Sequence, residues 1–158
     1  MKINVLYIDD EPHNLVAFKA SFRRFFTIFT AESAEEGRQI LDTENIHVIL
    51  SDQRMPKMTG IEFFESIVKA HPEPIRILIT GYTDINAVID AINRSQVYKY
   101  LTKPWNEDEV KIYIEKAYEV YQLRKENIEL AESLTRLTSK LIDMNKKLEF
   151  LARQNLLS

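Results

Sequence analysis

The chain has 158 residues, 45% hydrophobic and 28% charged, enough for one domain with its own core plus an appendage. Its formal net charge of −3 gives no general basic footprint for nucleic acid, and the lack of cysteine excludes disulfides, thiolate metal sites and cysteine nucleophiles. Acidic residues follow the amino terminus too closely for a secretory signal, and no apolar run approaches the roughly 20 residues that cross a bilayer, so a cytoplasmic protein without membrane or direct nucleic-acid contact is expected.

Up to Pro104, short β-branched runs at 3–8, 26–30, 47–51, 75–80 and 97–101 alternate with stretches of helical spacing near 13–24, 34–43, 60–70 and 84–94. Strands that alternate with helices and read as continuous apolar runs predict an α/β fold, a doubly wound parallel sheet covered on both faces. At this length the flavodoxin-like strand order 2-1-3-4-5 is the leading candidate, with ligands expected at the carboxyl ends of the strands.

All three glycines and all five prolines lie at or before Pro104, so the remainder reads as one helix from about 106 to 155. At 1.5 Å per residue that is about 75 Å, far beyond an ordinary helix of roughly 10–14 residues. Placing Val120, Asn127, Leu134, Leu141 and Leu148 at a puts Leu123, Leu130, Leu137, Met144 and Leu151 at d, without a slip. Such a stripe arises either from a coiled coil or from an amphipathic helix packed on its own domain. Four heptads outrun what a small sheet can cover, so a coiled coil is expected. Asn127 at an a position is satisfied by its own mate in a parallel dimer and is costly opposite Leu, which predicts a parallel homodimer. The facing e and g positions specify orientation only weakly. The expected domains are 1–120 and a helical extension 121–158.

Five residues with useful chemistry fall at strand ends: Asp9 and Asp10 after the first, Asp52 at the third, Thr80 at the fourth and Lys103 after the fifth. Each alone has an ordinary explanation, since an Asp after a strand is commonly a turn former or helix cap. Together, on four strand ends, they are expected to line one crevice. Three gathered carboxylates repel, so at least one pKa should rise unless a cation intervenes. Oxygen ligands without Cys or His point to a hard ion, and Mg²⁺ fits because it is held by a few carboxylates while keeping positions for water or phosphate. That ion and Lys103 would keep Asp52 nucleophilic, and the Thr80 hydroxyl and the Gly81 backbone could donate to a phosphate oxygen.

The blocks YIDDEP (7–12), SDQRMPKMTG (51–60), ITGYT (79–83) and YLTKPW (100–105), in this spacing, give residues 2 to about 120 a sequence that resembles the receiver domain of two-component response regulators. The resemblance implies that Asp52 accepts a phosphoryl group from a sensor histidine kinase, a phosphotransfer protein or a small acyl phosphate. Asp9 and Asp10 would hold Mg²⁺ with Asp52 and the backbone carbonyl of Arg54. Lys103 would contact the phosphate, and its peptide bond to Pro104 would be cis. Thr80 and Tyr100 match the switch pair, and Gly60 is expected to allow a left-handed turn. Gly81 stands where alanine is more usual, and Arg54 occupies a position that varies in the family.

The function so implied is a phosphorylation-controlled switch, not a turnover enzyme, whose signal leaves through the Thr80/Tyr100 face and the long helix to an unspecified output. The alternative is the input module of a larger regulator, such as a cyclic-dinucleotide phosphodiesterase, a phosphatase or a transcription activator. A phosphohydrolase with an aspartyl-phosphate intermediate would need a second acid two residues after the nucleophile, where this chain has Arg54.

Overall fold

A computed structural model describes residues 2–81, 84–94 and 97–157. Strands β1 (Asn4–Ile8), β2 (Thr27–Ala31), β3 (Val48–Asp52), β4 (Ile75–Thr80) and β5 (Lys99–Thr102) alternate with helices α1 (Pro12–Phe22), α2 (Ala34–Thr43), α3 (Gly60–Ile67), α4 (Ile85–Arg94) and α5 (Glu107–Leu157). The sheet is parallel with the order β2-β1-β3-β4-β5, which is the flavodoxin-like order expected. The carboxyl ends of β1 and β3 adjoin where the chain reverses direction across the sheet.

The strands hold because their side chains are buried on alternate sides. Val5 and Tyr7 of β1 join one core with Phe18 and Phe22 of α1 and Val110, Ile114 and Ala117 of α5. Leu6 and Ile8 join the opposite core with Leu41 of α2, Phe63, Phe64 and Ile67 of α3, and Val88 of α4. Period-two alternation thus feeds two apolar layers, as a sheet covered on both faces requires.

Helix starts follow local chemistry. Ser33 Oγ accepts the Glu36 N–H at 3.2 Å, which satisfies one of the first-turn donors of α2. At α3 the Thr59 hydroxyl and the Glu62 side chain form a reciprocal capping box. Pro12 opens α1, where a missing N–H costs nothing. The expected third helix runs to 70, but α3 ends at Ile67. Val68 to Ala70 continue as turn, and the His71 N–H closes on the Ile67 carbonyl at 2.7 Å.

The chain divides into two compact units, 1–121 and 122–158. In the first, Tyr118 and Tyr121 of α5 meet the buried His47 ring edge-on at centroid distances of 5.0 and 4.9 Å, and Tyr113 lies under the Lys99 ammonium. The three tyrosines therefore pack on their own domain, the local role that aromatics on a helix face usually have. In the second unit the leucines at a and d are 54–68% exposed, and Ile128 and Ile142 add apolar groups at b. Among the described residues no helix is long and apolar enough to cross a membrane.

Candidate functional site: an acidic pocket at the strand ends

The pocket is built by the ends of β1, β3, β4 and the segment after β5. Asp9 is fully buried and Asp52 is 8% exposed. One carboxylate oxygen from each of Asp9, Asp10 and Asp52 lies within 4.8 Å of the others. Lys103 Nζ stands between them, 3.2 Å from Asp9 Oδ2 and 3.3 Å from Asp52 Oδ2. Its backbone N–H donates to the Thr80 carbonyl at 3.0 Å, which ties the segment after β5 to the end of β4. The Lys103–Pro104 peptide bond is cis, as the resemblance implies.

Thr80 is fully buried, and among the described residues its hydroxyl makes only a long 3.5 Å bond to the Gly81 carbonyl. Tyr100 is apart from this group, an exposed ring on β5 in register with Leu78 of β4, two residues before the Thr102 that pairs with Thr80. Arg54 sends its guanidinium to Asp84, 2.6 Å away, linking the loop after β3 to the residue that precedes α4. Tyr82 and Thr83 of the ITGYT block lie outside the described residues.

Gly60 corrects one expectation. Among the described residues no glycine has a positive φ, and the left-handed position in the loop after β3 falls to Lys57, at φ 71°. Gly60 is needed for a different reason: an added Cβ would sit 2.6 Å from the Asp52 carbonyl oxygen and 2.8 Å from Leu78 Cδ1. The glycine lets the start of α3 lie directly against the backbone of Asp52. At Gly81 an added Cβ would meet, among the described residues, only Asp84 Oδ2 at 3.8 Å, so alanine would fit against them.

Four supporting residues escaped the reading of the sequence. Tyr7 donates its hydroxyl to Asp9 Oδ2 at 2.7 Å and Asn14 donates to the same oxygen at 3.0 Å. Gln53 accepts the Gly60 N–H on its carbonyl at 3.1 Å and the Ile61 N–H on its side-chain oxygen at 3.0 Å, anchoring α3 beside Asp52. Asp84 is the partner of Arg54. Tyr7 carried a usable signal, because it lies near the end of β1, two residues before Asp9, where period two places both on the same face. Asn14, Gln53 and Asp84 become partners only once the loops close over the pocket.

The electrostatics differ sharply between the two buried acids. Burial raises the Asp52 carboxyl to about 6, because desolvation and the charges of Asp9 and Asp10 outweigh the attraction of Lys103. Burial also works against charge on Asp9, but the Glu11 N–H, the Tyr7 hydroxyl, Lys103 and Asn14 prevail and hold it below the usual carboxylate range. Burial disfavours the charged form of Lys103, yet Asp52 and Asp9 together keep its ammonium above the ordinary lysine value. Of the two buried acids it is therefore Asp52 whose charge is disfavoured, chiefly by burial.

A family model for the response regulator receiver domain matches residues 5–115. The chain belongs to the response regulator receiver domain family. Among curated relatives, this receiver is 38% identical over 120 residues to the hydrogenase transcriptional regulatory protein HoxA of Cupriavidus necator, covering 76% of this chain and 25% of that one. It is 31% identical over 124 residues to the DNA-binding transcriptional regulator NtrC of Escherichia coli, covering 77% and 26%. The chain thus spans about a quarter of the length of these relatives. A solved receiver domain protein from Clostridium thermocellum superposes with a TM-score of 0.71 at 30% identity, over 77% of this receiver and 98% of that chain.

Proposed function

We propose that this receiver is a phosphorylation-controlled switch in which Asp52 accepts a phosphoryl group from a histidine kinase or phosphotransfer protein. The observation that carries the reading is the buried Asp52 carboxylate 3.3 Å from the Lys103 ammonium, with Asp9 and Asp10 oxygens within 4.8 Å. Oxygen ligands that close suit a hard cation, and Asp9, Asp10, Asp52 and the Arg54 carbonyl would hold Mg²⁺. When bound, Mg²⁺ neutralises charge on the carboxylates and on the phosphoryl oxygens.

An Asp52 carboxylate oxygen attacks phosphorus in line, forming an O–P bond as the N–P bond of the phosphohistidine breaks and its electron pair stays on the imidazole. Lys103 meets the phosphoryl oxygens, as a fixed positive charge aimed where negative charge arrives. The Thr80 hydroxyl, whose bond to the Gly81 carbonyl is long at 3.5 Å, would turn toward them. Tyr100, exposed on β5, then moves inward and changes the surface beside α4 and α5. Arg54 stands where a hydrolase with an aspartyl-phosphate intermediate would place its second acid, which supports a switch over a turnover enzyme.

With Mg²⁺ and an acyl phosphate, the chain is expected to gain one phosphoryl group, seen by mass spectrometry and removed by hydroxylamine. Asp52→Asn is expected to gain none. Labelling that survives this substitution would place the acceptor elsewhere.

The exposed a/d seam of the second unit supports a parallel homodimer as the route by which the signal leaves. Light scattering should give a dimer at micromolar concentration, and a monomer there would sink the idea. Asn127→Leu is expected to tighten association while losing a single oligomeric state, because the polar pair that fixes register is gone. The relatives favour a second arrangement for the output: HoxA and NtrC are regulators of transcription about four times as long as the aligned region, so the receiver could instead act as the input module of a longer protein.

A further inference from the structure

Tyr7 sits where a strand facing a core would ordinarily carry an apolar residue. Its ring stacks on Phe18 at 4.2 Å and meets Trp105 edge-on at 5.8 Å, contacts that phenylalanine would make equally well. The hydroxyl is the only part those contacts do not explain. A buried hydroxyl is costly unless it is bonded, and this one donates 2.7 Å to a carboxylate that is itself fully buried.

That bond bears on Lys103. Asp9 Oδ2 receives Tyr7 at 2.7 Å, Asn14 at 3.0 Å and Lys103 at 3.2 Å, while Oδ1 receives the Glu11 N–H at 3.0 Å. Three donors more than use the two lone-pair sites of Oδ2, while Oδ1 keeps one for a cation. The lysine is the longest of the three on Oδ2, and it lies almost equally far from Asp52, at 3.3 Å. The shorter bonds occupy the oxygen that would otherwise draw the ammonium wholly onto Asp9.

We propose that Tyr7 is a positioning residue for phosphoryl acceptance, its hydroxyl helping to saturate Asp9 Oδ2 so that Lys103 stays shared with Asp52 and available to the incoming group. This rests on the reading of Asp52 as the phosphoacceptor. Tyr7→Phe keeps the ring stack and removes only the donor, so Lys103 shifts toward Asp9. Asn14→Ala removes the second donor from the same oxygen without touching the aromatic core and acts in the same direction, more weakly.

The test uses the full chain with Trp105, its single tryptophan, as the reporter, since that ring touches Tyr7. Mg²⁺ is titrated alone, and beryllofluoride, as the phosphoryl mimic, is titrated at saturating Mg²⁺. Tyr7→Phe is expected to bind Mg²⁺ within about twofold of wild type and beryllofluoride about tenfold more weakly, a difference of about 1.4 kcal/mol. In a Lys103→Gln background the same substitution should change beryllofluoride binding by less than about twofold, because it acts through the lysine. Unchanged beryllofluoride affinity in Tyr7→Phe, equal losses for both ligands, or a full effect without Lys103 would each overturn the proposal. Failure of wild type itself to bind beryllofluoride would overturn the phosphoacceptor reading instead.

Discussion

In metal-free buffer at pH 8, Asp52→Asn is expected to be more stable than wild type by about 3 kcal/mol, measured by urea unfolding. The folded-state carboxyl stands at about 6 against an ordinary 3.8, so between those values the native state binds more protons than the unfolded chain. Stability therefore falls as pH rises through that window, and the full cost is present above about pH 6, at roughly 1.4 kcal/mol per pKa unit. An asparagine cannot ionise and escapes this cost, so the two proteins should converge as pH falls toward 4. Adding Mg²⁺ at pH 8 should recover the lost stability in wild type and recover much less in the variant. A variant less stable than wild type at pH 8, or one with the same pH slope, would mean that Lys103 already compensates the buried charge. The cost accords with the proposed function: Asp52 would be a nucleophile held in a site where its own charge is unwelcome until a cation or a phosphoryl group engages it.

The chemistry of the pocket was legible because it depends on residue type at strand ends, and a buried parallel strand announces itself as a short β-branched run. Asp9, Asp10, Asp52 and Lys103 converge because β1 and β3 are neighbours in the sheet and the segment after β5 returns to the end of β4. What the sequence could not show was which partner each polar group would choose. Asp9 is satisfied by Tyr7 and Asn14, one from a strand and one from a helix, a pairing that neither period two nor period 3.6 encodes. Arg54 reads as a lone variable residue until the segment before α4 brings Asp84 to it. The role of Gly60 was misread for a related reason. Glycine in a loop suggests a positive φ, whereas here the constraint is the separation between a helix start and a strand backbone, a distance with no local signature. The long helix was legible from the lack of breakers, and its first three turns turned out to be core, through Val110, Ile114 and Ala117.

Gly60→Ala should therefore be far more damaging than its size suggests. The added methyl would meet the Asp52 carbonyl oxygen at 2.6 Å, the carbonyl carbon at 3.2 Å and Leu78 Cδ1 at 2.8 Å. Leu78 is fully buried and can turn only into a packed core, while the carbonyl belongs to the backbone that positions Asp52. Relief has to come from moving the start of α3 away from β3, which strains the bonds from the Gly60 and Ile61 N–H groups to Gln53, at 3.1 and 3.0 Å. Overpacking of this kind costs roughly 1–3 kcal/mol, and with those bonds strained we expect about 3 kcal/mol in urea unfolding. Acyl phosphate labelling should slow at least tenfold under conditions where the variant is still folded, because the Asp52 carboxylate no longer lies where Lys103 meets it. Gly81→Ala is the matched control, since among the described residues its methyl would find only Asp84 Oδ2 at 3.8 Å. That variant should stay within about 0.5 kcal/mol of wild type. Equal behaviour of the two alanines would show that α3 has room to retreat, and that the close approach of Gly60 to Asp52 is not what holds that carboxylate in place.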